Sequence, residues 1–153
     1  MANEEKTLSV SRIIDHSAKD IFDTLSLPQR HPQFDGSGMV RSADNSERIQ
    51  ATGDVFVMNM VGRTGTEYQT HNHVTAFDDG KMVGWKPALA ENPGEPGGWE
   101  WLYTLKPLDA HSTDVTLTYS WGAVTDKKLA ASLPLITEEE MEQSLNLLAS
   151  AIN

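Results

Sequence analysis

The 153-residue sequence contains no cysteine, which excludes disulfides, thiolate metal sites and a cysteine nucleophile and suits a reducing cytoplasm. It also has no apolar run long enough to span a bilayer, so no membrane span is expected. Positive charge is scarce: 12 Lys and Arg stand against 22 Asp and Glu, for a formal net charge of −10. Binding a phosphate backbone needs a basic face, so nucleic acid is not expected as a partner. The one adjacent basic pair, Lys127-Lys128, reads as a solvated helix face. The opening Met-Ala-Asn-Glu-Glu-Lys is polar and does not read as a secretory leader, so a cytoplasmic location is expected. A nucleophile-elbow serine, a phosphate loop and a dinucleotide fingerprint are all missing, and no cofactor is expected. The length suits one domain, residues 1–153, with its own core.

What is present is mostly strand-like. Thr7–Ile14 reads as an opening strand, followed by a short helix that Ser17 caps, that presents Ile21, Phe22 and Leu25, and that stops at Pro28. A second helical turn and a loop fill Gln29 to Gly38. Six further strands are predicted at Met39–Ser46, Asp54–Val61, Glu67–Phe77, Lys81–Ala90, Trp99–Leu108 and Thr113–Gly122. The stretch 91–98 is too rich in Pro and Gly for regular structure, and predicts a mobile loop at the mouth of any cavity. Thr137-Glu138-Glu139-Glu140 opens a final helix with a capping box, and Met141, Leu145, Leu148 and Ile152 give it an apolar stripe. The expected class is α+β: a curved seven-stranded antiparallel sheet wrapped around a long C-terminal helix, with two short helices after the first strand.

The candidate site is an aromatic face. Trp99, Trp101 and Tyr103 alternate along one strand, as do Val115, Leu117, Tyr119 and Trp121 along the next, while Trp85 shares a face with Val83. Rings with a polar edge suit a ligand-contacting wall as well as a dry core, and both readings stay open. Phe56, Met58 and Met60 form a similar stripe. His71-Asn72-His73 leaves strand parity ambiguous: Phe77 as the inward marker turns both imidazoles in, whereas Tyr68, Val74 and Ala76 turn Asn72 in. The second set is the more apolar, so Asn72 is expected inside and no metal site is expected. Predicted ligand contacts are therefore Trp85, Trp99, Trp101, Tyr103, Tyr119, Phe56, Met58 and Asn72. No catalytic residue is assigned. Asp35 with Ser37 at the cavity entrance is a further candidate, although Asp-Gly-Ser-Gly also reads as a plain turn.

The element order resembles the helix-grip fold of the START-like superfamily, also called SRPBCC or birch-pollen-allergen-like proteins. Ser11-Arg12-Ile13-Ile14-Asp15-His16-Ser17-Ala18-Lys19-Asp20-Ile21-Phe22 looks like that family's first strand entering its first helix. Gln29-Arg30-His31-Pro32-Gln33-Phe34-Asp35-Gly36-Ser37-Gly38 is similar to a phrase of its bacterial polyketide cyclase/dehydrase-like branch. The resemblance covers Lys6 to Ile152 and implies a cavity between sheet and helix. Its implied partner is a small hydrophobic, aromatic or polyketide-like molecule, bound by a carrier or turned over by a cyclase, aromatase or dehydratase. A co-chaperone-like interaction module is the third class, because the superfamily hosts all three.

Overall fold

In a computed structural model, which describes residues 6–44 and 46–152, one seven-stranded antiparallel sheet has the order β1-β7-β6-β5-β4-β3-β2. The strands are β1 Thr7–Ile14, β2 Val40–Ala43, β3 Val55–Val61, β4 Glu67–Asp78, β5 Met82–Leu89, β6 Glu100–Asp109 and β7 Ser112–Ser120. Consecutive strands pair as hairpins from β2 to β7, and β1 returns to pair with β7. The predicted strands recur within two residues at each end except β2, which is shorter than predicted, Val40–Ala43, and carries a register break between Val40 and Ser42. Asn45, inside that predicted strand, and residues 1–5 and 153 of the predicted domain lie outside the described residues.

The described residues also form three α-helices: α1 Ala18–Leu25, α2 Lys127–Ser132 and α3 Glu138–Ala151. The second helical piece expected after β1 is a 3₁₀ turn, Pro28–Gln33, because Pro28 and Pro32 each remove an amide donor. Ser17 caps α1 by accepting from the Asp20 amide. Thr137 and Glu140 form the predicted reciprocal box on α3, whose first turn carries three glutamates against the positive end of the helix dipole. Met141, Leu145, Leu148 and Ile152 are all buried, and α3 packs along β1 and β7. The outer face of that sheet edge is polar, with Ser9 to Thr118 and Ser11 to Thr116 hydroxyl pairs at 2.9 and 2.8 Å. Burial on one face only is what the alternating pattern required.

The parity ambiguity on β4 has a structural cause. A bulge between Val74 and Ala76 inserts one residue, so Tyr68, Thr70, Asn72 and Val74 face the inside before it and Phe77 packs inward on Phe22 after it. Tyr68 and Val74 were valid inward markers before the bulge and Phe77 after it, whereas Ala76, adjacent to Phe77, falls on the other face. Asn72 is buried, and the two histidines lie on the outer face, where His73 Nε2 is 2.6 Å from the Pro93 carbonyl oxygen.

That contact fastens one point of the 91–98 loop, whose side chains are otherwise exposed up to Pro96. The loop joins Leu89 to Trp99, both on the cavity wall, and so flanks the opening. Its amides make only short-range turn bonds and one bond to Pro87. Amide hydrogen exchange should therefore be faster across 91–98 than across Val115–Trp121; equal protection of the two would contradict this.

Candidate functional site

Between the concave face of the sheet and α3 lies a cavity of about 290 Å3, near the lower end of the range for small-molecule pockets, ~300–1,000 Å3. Its wall is built strand by strand: Phe56, Met58 and Met60 from β3, Tyr68, Thr70 and Asn72 from β4, Trp85, Pro87 and Leu89 from β5, Trp101 and Tyr103 from β6, Leu117 and Tyr119 from β7. Met141 and Ser144 of α3 close it from above. Leu89 and Leu135 are 38% and 41% exposed while also lining it, which places a greasy rim at the mouth. All eight side chains predicted as ligand contacts stand on this wall.

The rings fall into two groups. Trp101 stacks on Tyr119 with centroids 4.1 Å apart and planes 6° from parallel, and Tyr119 also touches Trp121. A hydrogen bond ties Tyr119 to the Leu135 backbone, partly offsetting the burial that raises its phenol pKa. The second group surrounds His31, which the sequence placed only in a turn. Its imidazole stacks on Trp85 at 5.1 Å and meets Phe34 and Phe56 at 5.1 and 5.3 Å. The 3₁₀ turn aims it there: His31 Nε2 lies 2.8 Å from the Leu25 carbonyl oxygen at the end of α1, which fixes the Nε2–H tautomer. Burial lowers its pKa to about 4, against the opposing effects of the Leu25 bond and the Asp35 charge, so the ring is neutral at pH 7.

Tyr103, 5% exposed, closes this second group against Trp85 and Phe34. Burial, reinforced by Asp35, pushes its phenol far above the ordinary tyrosine value, so it stays protonated. Among the described residues every fully sealed side-chain nitrogen or oxygen has a hydrogen-bond partner. The Tyr103 hydroxyl has none, so it opens onto the cavity.

Asp35 and Ser37 also line the cavity. Asp35 accepts from the Ser37 amide and hydroxyl and from the Val40 amide at 2.7 Å, which makes it the organiser of this turn. Gly36 lets the turn touch α3: its amide donates to Ser144 Oγ at 2.8 Å, and a Cβ there would sit 2.7 Å from the Ser144 backbone nitrogen. On the far side, Arg63 in the β3–β4 hairpin donates to the Leu135 carbonyl at 2.8 Å and pairs with Glu140 at 2.6 Å. That pair holds Glu140 below the ordinary carboxylate range and staples the hairpin to the start of α3.

Sequence reasoning turned Tyr68 inward without naming it as a ligand contact, and it missed His31, Phe34, Thr70 and the covering residues Leu129, Leu133, Leu135 and Ile136. Alternation could have supplied Thr70, which lies between Tyr68 and Asn72 on the same face. The covering residues carry no periodic signal, since they sit in and after a helix of six residues. Among the described residues no three His, Asp or Glu side chains gather in a metal-holding group, and no helix is long and apolar enough to cross a membrane.

No protein-family model matches the chain. An uncharacterized protein of Mycobacterium tuberculosis is 28% identical over 116 residues, 74% of this chain and 48% of that protein, so the chain spans about half the length of the curated relative it matches. Among solved structures, a Mycobacterium smegmatis protein superposes with a TM-score of 0.70 at 16% identity, covering 97% of this chain and 92% of that one. An aromatase/cyclase from Streptomyces gives 0.65 at 12% identity over 94% and 91% of the two chains. The major latex-like protein of Panax ginseng gives 0.63 at 11% over 95% and 93%. With the strand order, the gripped terminal helix and the cavity between them, these likenesses show that the chain has the helix-grip fold.

Proposed function

We propose that this protein binds a compact, largely apolar and aromatic molecule, polyketide-like in character, in the cavity between sheet and α3. The observation that carries the reading is an aromatic-walled cavity with exposed leucines at its mouth: Trp85, Trp99, Trp101, Tyr103, Tyr119, Phe56 and Met58 offer ring faces and soft side chains to one small space. Leu89 and Leu135, partly exposed at the entrance, extend this apolar lining to the rim. Binding is favoured over turnover because general acid–base catalysis works best with groups that titrate near neutrality. The three most buried titratable groups of the wall have all moved away from it, His31 downwards and Tyr103 and Tyr119 upwards.

The Streptomyces aromatase/cyclase keeps an enzyme on the same fold in view. A cyclase or dehydratase reading would need His31 or Tyr103 to be indispensable for turnover and dispensable for binding. Titration with the uncharged dye N-phenyl-1-naphthylamine tests the binding reading directly. Three of the four tryptophans line the cavity, so dye emission should rise while tryptophan emission is quenched, saturably and at one site. A protein that leaves the dye dark and its own emission unchanged does not have this function.

A further inference from the structure

The polar atoms at the His31 end of the cavity restrict what its occupant can be. Asn72 uses its amide nitrogen on the Phe56 carbonyl, the Thr70 carbonyl and the Thr70 hydroxyl, at 3.2, 3.3 and 3.2 Å. Its Oδ1 has no donor among the described residues, and the residue is 3% exposed. His31 likewise spends Nε2–H on Leu25 and leaves Nδ1, a pure acceptor in the neutral ring, without a partner among the described residues. Since no sealed side-chain polar atom among those residues is unpaired, both acceptors must reach open space, and both residues line the cavity. The Tyr103 hydroxyl joins them. Among the described residues no lysine or arginine lines the space, and the one charged group that does is the carboxylate of Asp35.

We infer that the occupant is an uncharged ring compound that presents a hydroxyl hydrogen to the Asn72 and His31 acceptors, and that carboxylates and phosphates are rejected. An anion would meet two lone pairs and the Asp35 carboxylate, with the neutral Tyr103 hydroxyl as a donor but no cation to offset its lost hydration. An ether or hydrocarbon of the same shape would displace water and leave both acceptors bare, and a site built to pair a hydroxyl discriminates strongly against an analogue that lacks one. The inference rests on the binding reading above and adds the chemistry of the head group to it.

Three probes of nearly the same shape separate the possibilities: 2-naphthol, 2-methoxynaphthalene and 2-naphthoate, the last ionised at neutral pH. Each is titrated into the intact chain by tryptophan quenching and by displacement of N-phenyl-1-naphthylamine. The naphthol should bind about tenfold or more tighter than the methyl ether despite being less hydrophobic. Naphthoate should be the weakest of the three. In Asn72→Leu the preference for naphthol over the ether should shrink to about threefold or less while the ether itself still binds. Equal affinity for all three, or naphthoate binding best, overturns the inference and leaves the container intact. Failure of all three to bind or to displace the dye removes the container reading as well. The comparison on the unmodified chain stands even if Asn72→Leu does not fold.

Discussion

Leu145→Ala is expected to lower the unfolding free energy by about 2–5 kcal/mol, and Trp101→Ala by less, although the tryptophan is much the larger side chain. Leu145 is 1% exposed and sits in the middle of the α3 stripe, where every neighbouring atom is packed against it. Its removal leaves a void that the sheet cannot collapse around, because β1 and β7 are fixed to each other along eight paired residues. Trp101 is only half-buried, stacks one face on Tyr119 and borders empty space. A ring that already lacks partners on one side forfeits fewer contacts when truncated. Trp101→Ala should therefore remain folded, with a larger cavity and altered ligand preference. Denaturant midpoints followed by circular dichroism supply the ranking, and a Trp101→Ala cost above that of Leu145→Ala would mean that the aromatic wall is core rather than container.

The contrast between these two residues also marks what the sequence could convey. Period-two alternation located the strands and the aromatic face because each side chain on a one-sided sheet is dictated locally by its parity. The capping box announced α3 for the same reason, its partners being three residues apart. The β4 bulge broke the logic: one inserted residue made Val74 and Phe77 both inward, and no local signal distinguishes that from a continuous strand. His31 escaped notice for a different reason. Its role depends on Trp85 and Phe56, 54 and 25 positions downstream, and a histidine among prolines and glutamines looks like any turn residue. Arg63 is similar, since nothing near it foretells a bond to Glu140 across the cavity cover. Faces were legible and their closures were not, because closure is made by long-range pairs.

Stability should rise by about 3 kcal/mol between pH 4 and pH 6.5 on account of His31 alone. The imidazole titrates near 6.5 in the unfolded chain and near 4 in the folded one, because burial among Phe34, Phe56 and Trp85 disfavours its charged form. Between those two values the unfolded chain holds a proton that the folded chain refuses, so acid favours unfolding and the slope of stability against pH is positive. Above pH 6.5 both forms are neutral and the full contribution is present; it is lost progressively as pH falls towards 4. Asp35 acts in the opposite sense, drawing the pKa upward, yet desolvation is the larger effect. His31→Gln is the control: its amide N–H can still be offered to the Leu25 carbonyl, but it cannot titrate. Chemical denaturation at pH 4.5, 5.5, 6.5 and 7.5 should show the variant with a flatter profile than the parent across this window. Parallel profiles would mean that His31 titrates in the fold as it does in the unfolded chain, so that below about pH 6.5 the end of the cavity would hold a cation where the neutral acceptor is now assigned.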